Sequence, residues 1–439
     1  MLVAGLGLTV LLVVWRLTLN RLIAAEIDSI HERAYPVTLA ELNRWYPQVP
    51  PSENSAVVFG KAFASLSDRS NLSRSPHDKS TVSLSRDDSP ADPQTQTVED
   101  YLNGNGEALA LLHQASNIPR SRFPIDLSRL SISPYPHLGN LIRSAHLLET
   151  EAVNNVEHAS PQLATVSVES LFAVSQSLAK EPLVRSYLAR MDCQGIAVGS
   201  LQNLLSKTSL SDADLDALRV TLERADDQRG LARAFIGQRC IGIHGFNLMR
   251  EMFDLTTLPA ARRYPLSQRI LVNFDVFFSS PAYLYDLCGF LQWDKLQYLR
   301  LMDRYIETAQ AAFPERVATA QALHRSLDQQ SPLHAFSRAW LRGMNGPRVI
   351  LKDANITAQI RAARVAIDVE RFRLAHDQLP LSLAELESSG TSGLPTDPFD
   401  GRPLRYKRLP RGYAVYSVGE DAADGGGDGA KNVAFLVQR

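Results

Sequence analysis

The spacing of apolar residues from about residue 98 to residue 378 is the feature that most limits how this chain can fold. Apolar residues recur there at three- and four-residue steps, as in "HLGNLIRSAHLLETEAVNNVEHA" and "PLVRSYLARMDCQGIAVGSLQNLLSK", which is the spacing of one face of an α-helix. The breaks fall at glycine, proline or helix-capping residues such as Ser211 to Asp214. Successive helices with short links predict a mainly α fold, in which helical hairpins pack as a bundle or an irregular solenoid.

Residues 350–377 are predicted to form the longest of these helices. One side of it carries a stripe of apolar residues, namely Ile356, Ile360, Ala363, Ile367 and Leu374. The opposite side carries charged residues, namely Arg361, Arg364, Glu370 and Arg371. An amphipathic pattern of this kind predicts that the apolar stripe faces the core and that the charged side faces water.

A different pattern, with a period of two, appears after residue 400. In "GRPLRYKRLPRGYAVYSV" tyrosines and valine alternate with basic residues, which predicts an antiparallel hairpin that turns at "LPRG". A further strand is predicted at 433–437. The basic residues would form the solvated face of this sheet, and the net charge of −1 gives no long-range attraction to nucleic acid. We therefore expect a small C-terminal α+β part and no nucleic-acid partner.

The first 24 residues form a nearly uninterrupted apolar segment, "MLVAGLGLTVLLVVWRLTLNRLIA". A helix that spans a bilayer needs about 20 mostly apolar residues, and residues 1–24 reach that length if Arg16 and Arg21 extend to the interface. The segment shows neither the polar n-region of a signal peptide nor an A-x-A cleavage site directly after it. A retained transmembrane anchor is predicted, with a buried N-terminal helix as the alternative.

The rest of the chain is divided by its composition. Residues 25–66 are expected to form a membrane-proximal helical segment with a capping box at Thr38–Glu41. Residues 67–98 are rich in Ser, Asp and Pro and too poor in apolar residues to offset the entropy lost on ordering, so they are predicted to form a disordered loop. A helical domain over 99–349 and an α+β domain over 350–439 complete the chain.

Residues with catalytic or ligand-binding chemistry do not form a standard motif. The chain has no GxSxG elbow, P-loop, HExxH or dinucleotide-binding GxGxxG sequence. Cys193, Cys240 and Cys288 are isolated and lack the spacing of a zinc site or a disulfide framework. Cys240 and His244 could share a helix face, but core packing is the simpler interpretation without a third polar partner. An enzyme with its site between helices of 99–349 is kept as the alternative function.

Three aspartates in a glycine-rich turn give the sharpest indication of a binding site. Asp421, Asp424 and Asp428 lie within "EDAADGGGDG", where the carboxylates repel each other unless a hard cation compensates their charge. Ca²⁺ accepts six to eight oxygen ligands and tolerates irregular geometry, and glycines at 425–427 allow a tight turn. The spacing is not that of an EF-hand loop. A calcium site is predicted, with a solvated acidic turn as the alternative.

The order of elements at the end of the chain resembles a known family. A long helix continues into "FRLAHDQLPLSLAEL" and is followed by "LPTDPFDGRPLRY", the predicted hairpin and "SVGEDAADGGGDG". Over about residues 355–437 this order is similar to that of the periplasmic domain of the major pseudopilin of type II secretion. The resemblance implies a helix packed on a small antiparallel sheet, and a C-terminal loop closed around calcium.

The resemblance also implies which residues would hold the ion. The family's pattern of Ser-x-Gly-x-Asp, a glycine-rich spacer and a second acid falls on Ser417, Gly419, Asp421 and Asp428. The implied ligands are the side chains of Asp421 and Asp428 and the carbonyl of Val418, with Asp424 as a further candidate. Because about 330 residues separate the predicted anchor from this part, we do not predict assembly into a pseudopilus.

These features favour a membrane-anchored scaffold or interaction protein with a calcium-stabilised C-terminal domain and a protein partner on its helical domain. No reaction is assigned. More loosely, "NRWYP", "ENSAVVFGKAF" and "SRFPIDLS" are similar to segments of bacterial membrane-anchored helical proteins, which implies a single-pass protein of the bacterial inner membrane. Arg16 and Arg21 would place the body in the cytoplasm by the positive-inside rule. A calcium loop is more useful in the periplasm, and we expect a periplasmic body.

Overall fold

The computed structural model describes residues 2–67, 93–129, 135–253, 285–328, 334–388, 393–427 and 432–439. Within these residues the chain is mostly helical and carries a small three-stranded antiparallel sheet near its C-terminus. The prediction of a mainly α fold with a short C-terminal sheet is confirmed at this level. Most of the predicted disordered loop, residues 68–92, lies outside the described residues, while Pro93 already begins a helix.

The helices follow the predicted order. They are α1 (Leu2–Glu32), α2 (Leu39–Trp45), α3 (Ser55–Ser65), α4 (Pro93–Gly104), α5 (Gly106–Ser116), α6 (Pro136–Glu157), α7 (Pro161–Gln176), α8 (Val184–Lys207), α9 (Asp212–Ala225), α10 (Gly230–Phe253), α11 (Phe290–Gln310), α12 (Glu315–Asp328), α13 (Ala335–Met344), α14 (Gly346–His376) and α15 (Leu383–Ser388). The strands are β1 (Arg405–Leu409), β2 (Gly412–Ser417) and β3 (Val433–Gln438). Helices that follow each other through short links, such as α6, α7 and α8, pack against one another.

Two predicted helix starts are confirmed in atomic detail. The Thr38 hydroxyl accepts a hydrogen bond from the Glu41 amide (3.2 Å), and the Glu41 carboxylate accepts one from the Thr38 amide. Ser211 and Asp214 form the same reciprocal arrangement at the start of α9. Each box satisfies backbone donors that the first helical turn leaves without an intrahelical partner, which is why these starts were visible in the sequence.

The long helix α14 lies at the centre of the fold rather than at its surface. It packs against α8, α9, α12 and the sheet. The prediction that its charged side faces water is therefore wrong. Glu370 is buried and bonded to the Tyr413 hydroxyl, and Arg361 pairs with Asp226 beside α9 at 3.1 Å. Leu374, placed in the apolar stripe, exposes 42% of its surface because it lies in the last turn, where the core ends.

The C-terminal sheet has the order β1-β2-β3, and both pairs are antiparallel. The hairpin turns between Leu409 and Gly412, as "LPRG" predicted. Lys407 and Arg408 of the edge strand β1 are exposed, but β2 is buried along nearly its whole length. The alternation in β2 was misleading because this central strand has α14 on one face and the loop after β2 on the other.

One large hydrophobic core runs through the described chain, and two smaller clusters lie beside it. One cluster of buried side chains extends from Leu19 in α1 to Val437 in β3. The predicted domain limits at 24/25 and 349/350 fall inside α1 and α14 respectively. The division of the chain into domains stays a prediction. The large core contains residues from both sides of each predicted limit.

Candidate functional site

The N-terminal half of α1 presents an exposed apolar surface. Leu6 and Leu11 each expose 68% of their surface, whereas Leu19 exposes 2% and Ile30 is fully buried. Among the described residues, the stretch Leu6–Glu32 is the only helix long and apolar enough to cross a membrane. Such a helix is compatible with a membrane anchor, and its exposed half is the part that a bilayer would cover.

The C-terminal half of α1 is fixed to the body by packing and by polar contacts with α11. Arg16 donates a hydrogen bond to the Leu287 carbonyl (3.2 Å), just before α11 begins. Further along both helices, Arg300 pairs with Glu26 at 2.9 Å, and Asp303 pairs with Arg33 at 2.8 Å. The exposed segment therefore continues into the core as one helix, without an intervening linker.

The predicted calcium ligands are engaged in hydrogen bonds within their own loop. Asp421 accepts from the Ala423 amide (3.1 Å) and Asp424 from the Gly426 amide (2.9 Å), each through Oδ1. The Gly426 amide and the Tyr416 hydroxyl lower the pKa of Asp424. The Val418 carbonyl accepts from the side chain of Asn432, and Asp428 lies outside the described residues.

These contacts fit a calcium ion only in part. Asp421 and Asp424 could each offer a second carboxylate oxygen, but Ca²⁺ takes six to eight oxygen ligands. Among the described residues, no group of three or more His, Cys, Asp or Glu side chains is placed to hold a metal ion. The predicted ligand set of Val418, Asp421, Asp424 and Asp428 stays a prediction.

Two residues that sequence reasoning missed organise this part of the chain. The Asn432 side chain donates to the carbonyls of Val418 (3.1 Å) and Ala423 (2.9 Å), and it accepts from the Gly427 amide (3.2 Å). Its side chain thus bridges three backbone positions of the loop. Asparagine commonly forms such local backbone contacts, but a single Asn before a strand gives no distinctive sequence signal.

Asp397 is the second of these residues, and it is completely buried. Its carboxylate accepts from the Phe399 amide (2.9 Å), the Ser417 hydroxyl (2.8 Å) and the Val418 amide (2.9 Å). Arg405 compensates the charge at 2.8 Å. The motif "TDPFDG" could have indicated an Asp that caps its own turn, although its long-range partners could not be read from the sequence.

A groove of about 670 Å³ lies between α12, α14 and the loop after β2. It is lined by Ala320, Gln321, Arg325, Pro347, Arg348, Leu351, Lys352, Asn355 and Glu420. Three of these side chains are cationic and one is anionic, and Lys352 also pairs with Asp192. The lining of the groove is rich in charged side chains, in contrast to the apolar and aromatic lining predicted for a scaffold.

A serine–histidine–glutamate arrangement lies within the described part of the helical body. His113 Nδ1 lies 2.8 Å from the Ser170 hydroxyl, and His113 Nε2 lies 2.9 Å from the Glu151 carboxylate. Nucleophilic catalysis uses residues in this order. Ser170, however, exposes only 2% of its surface and is shielded from solvent in this structure. The arrangement instead links α5, α6 and α7 through satisfied polar groups.

Cys240 and His244 do not form the thiol–imidazole pair weighed from the sequence. The Cys240 thiol is buried and donates to the Pro36 carbonyl at 3.1 Å. Burial raises its pKa to about 12, which keeps the sulfur protonated and unreactive near neutral pH. Core packing explains this residue.

No protein-family model matches the chain, and comparisons with curated proteins and with solved structures likewise gave no match.

Proposed function

We propose that this protein is a single-pass, membrane-anchored scaffold or interaction protein. The observation that carries the proposal is the change in exposure along α1, from 68% at Leu11 to 2% at Leu19. A soluble protein seldom exposes a continuous apolar helix of this length, whereas a bilayer would cover it. The buried Ser170 gives no support to the alternative of an enzyme with a site in this region of the helical body.

The groove between α12 and α14 is the surface that we assign to a protein partner. Arg325 and Arg348 are exposed at its rim, and Glu420 is the one carboxylate in its lining. An excess of positive charge favours an acidic partner segment and speeds its association. A photoreactive residue introduced at Gln321 in the groove should therefore crosslink a partner, and one introduced at the exposed Leu163 should not. Equal crosslinking at both positions would remove the assignment.

Calcium in the loop from Val418 to Asp428 and a periplasmic body complete the proposal. Both rest on the resemblance of the C-terminal part to the pseudopilin domain rather than on contacts in the structure. Alkaline phosphatase fused after Arg439 of the full chain reports the side of the membrane. An inactive phosphatase, together with an active cytoplasmic reporter at the same position, would place the body in the cytoplasm.

Replacing exposed leucines in α1 by arginine tests the anchor. Leu8→Arg combined with Leu11→Arg puts two charges in the exposed half, and each costs about 2.5–3.5 kcal/mol at the centre of a spanning helix. We expect the full-length variant to leave the membrane fraction on alkaline extraction. Leu374→Arg, a substitution at an exposed leucine on the body, should stay with the membranes like the unmodified chain. If the double variant resists extraction equally well, α1 is not the anchor.

A further inference from the structure

The end of the body from which α1 emerges can be located from its contacts. Trp15 packs on Gly289, where an added Cβ atom would lie 3.0 Å from the indole nitrogen. Gly289 has a φ of 79°, which suits glycine at this close approach. Arg16 pairs with Asp286 at 3.6 Å. The segment 286–289 therefore marks the level at which the exposed half of α1 leaves the body.

The ends of two further helices lie near this level. The helix α11 runs parallel to α1, because Glu26 meets Arg300 and the later residue Arg33 meets the later residue Asp303. The helix α10 runs antiparallel to α11. Its residue Asn247 contacts Lys295 (2.9 Å), whereas its earlier residue Gln238 accepts from the hydroxyl of the later residue Tyr298 (2.9 Å). The end of α10 and the start of α11 thus both face the side on which a membrane would lie.

Two leucines and Arg250 are exposed at this end, and Lys295 lies half-buried beside them. Leu248 exposes 45% of its surface and Leu287 exposes 39%. Lys295 donates to Asn247, and burial together with the nearby charge of Arg250 lowers the pKa of its ammonium group. Among the described residues, neither Arg250 nor Lys295 has a carboxylate at ion-pair distance. Two neighbouring cations with no carboxylate partner among the described residues form a place where an anionic ligand could bind.

The dimensions of a bilayer place these cations among lipid headgroups. If the hydrocarbon boundary lies near Trp15, where an interfacial aromatic residue is favoured, the helix from Leu2 to Trp15 supplies about 21 Å of apolar length. A bilayer accommodates a stretch shorter than its hydrocarbon core by local thinning, and the headgroup layer occupies roughly the next 5–8 Å. Lys295 lies five residues beyond the start of α11, or about 7–8 Å along a helix. The same layer would contain Arg16, and the exposed leucines would contact its apolar side.

We propose that this end of the body rests on the membrane surface, where Arg250 and Lys295 bind the phosphate of an anionic phospholipid. The inference rests on the proposed anchoring by α1 and goes beyond it, because an anchor alone would leave the body free to stand away from the bilayer. Arginine can contact a phosphate through two parallel hydrogen bonds and lysine adds a point charge. The exposed side chains of Leu248 and Leu287 enter the interface at the same end of the body.

The test uses the full-length protein in lipid nanodiscs. One set contains phosphatidylcholine alone, and the other contains equal parts of phosphatidylcholine and phosphatidylglycerol. Amide hydrogen exchange is followed in two peptides, one from α1 and one covering residues 245–253, while native mass spectrometry counts retained phosphatidylglycerol. We expect exchange in 245–253 to be slower with phosphatidylglycerol, and Arg250→Gln with Lys295→Gln to lower lipid retention roughly tenfold.

The matched control removes the same charge elsewhere. Arg325→Gln with Arg348→Gln removes two cations from the groove at the start of α14. Gly346, at the start of α14, lies against Tyr305 in the second half of α11, whereas Lys295 lies near the beginning of α11. This control should keep both the retention of phosphatidylglycerol and the protection. A shared loss in both double variants would mean non-specific charge attraction and would overturn the assignment.

The remaining outcomes separate the inference from the proposed function. Protection of α1 without any protection of 245–253 would refute the surface contact and leave the anchor intact. Equal protection in both lipid mixtures would refute the headgroup assignment. Protection that appears only in native membranes would indicate a protein occupant instead of lipid. Unprotected α1 amides would contradict the proposed anchor itself.

Discussion

The C-terminal loop is organised by single side chains, and Asn432 is the one with the widest reach. It bonds to the backbone of Val418, Ala423 and Gly427, and it is itself buried. Asp421, in contrast, is exposed, and within the described part of the loop its carboxylate accepts a hydrogen bond from the Ala423 amide two residues away. The loop therefore has an internal source of order that does not need a metal ion, and the contribution of calcium can be measured separately.

Asn432→Ala should destabilise the fold more than Asp421→Asn does. Three hydrogen bonds with a net value of about 1 kcal/mol each are lost in the first variant, so we expect the free energy of unfolding to fall by about 2–3 kcal/mol. The second variant keeps an acceptor at the same place and should change it by less than about 0.5 kcal/mol in chelator. Denaturant melts of the full chain in mild detergent measure both.

The same melts with calcium added test the predicted ion. An extracellular-type site binds with a Kd on the order of 10⁻⁴ to 10⁻³ M, so a tenfold excess of free calcium should stabilise the unmodified chain by about 1.4 kcal/mol. Asp421→Asn should show no such gain, because it removes a proposed ligand charge. Identical melting of the unmodified chain with calcium and with chelator would leave the aspartates as a solvated turn.

Asp368 gives a pH-dependent prediction. Burial raises its pKa to about 6 despite the attraction of Arg364, Arg219 and Arg371. The folded state then holds its proton at a higher pH than the unfolded state, whose pKa is near 3.8. The stabilisation is complete below pH 4 and is lost as the pH rises through 6. A difference of about two pKa units corresponds to roughly 3 kcal/mol.

Asp368→Asn should accordingly remove this part of the pH dependence. Relative to the unmodified chain, the variant should gain on the order of 2–3 kcal/mol in unfolding free energy between pH 4 and pH 7. Asp212→Asn provides a comparison, because Asp212 is exposed and its partner Arg371 lowers its pKa instead. A constant difference between Asp368→Asn and the unmodified chain at both pH values would show that Asp368 titrates normally.

At the level of elements, the segments with a local sequence signal were predicted well. The hairpin turn at "LPRG", the strand after residue 432 and the capping boxes of α2 and α9 all appear where expected. These features depend on residues close together in the sequence. The environment of α14 depends on residues far away in the sequence. Glu370 is buried because the sheet and the C-terminal residue Arg439 pack on that helix.

The candidate sites show the same difference between local signals in the sequence and contacts that form on folding. The apolar half of α1 was predicted because a bilayer-spanning helix is a property of one continuous segment. The roles of Asp397 and Asn432 depend on partners that the chain brings together only after folding. Arg250 and Lys295 are 45 positions apart in the numbering, so their proximity could be seen only in the structure. The pseudopilin resemblance stays a prediction.

Deleting residues 69–92 tests the predicted Ser/Asp/Pro-rich loop. The limits are set by the structure, because Ser67 bonds to Asn105 and Pro93 begins α4. The composition of this segment offers few residues for a core, so we expect the melting temperature to change by about 1 °C or less. Deletion of 67–92 should cost more, because it also removes the contacts of Ser67. A large loss from the shorter deletion would show that the segment packs.

At the scale of the whole molecule, the C-terminal sheet and the helical body share one core. Phe435 in β3 is buried, and the backbone of β3 is bonded to α8 through the Gln202 side chain, which accepts from the Leu436 amide at 3.0 Å. Arg439, the final residue, pairs with Glu370 of α14 at 2.7 Å. Contacts on several sides of α14 should couple the unfolding of the two parts, whatever their domain limits.

The tryptophans make this coupling measurable. All four, Trp15, Trp45, Trp293 and Trp340, precede residue 350, so their fluorescence reports on α1 and the helical body and not on the sheet. Phe435→Ala removes a buried ring from the sheet and should lower stability by about 3–5 kcal/mol. If the core unfolds as one unit, the variant should lower the midpoint of the tryptophan melt as much as it lowers the midpoint from circular dichroism.

Gln438→Ala, at the exposed end of the same strand, should change neither midpoint. A tryptophan midpoint that stays constant while the circular dichroism signal shows an earlier, separate transition would mean that the sheet unfolds alone, and the predicted limit near 349/350 would then divide two independent domains.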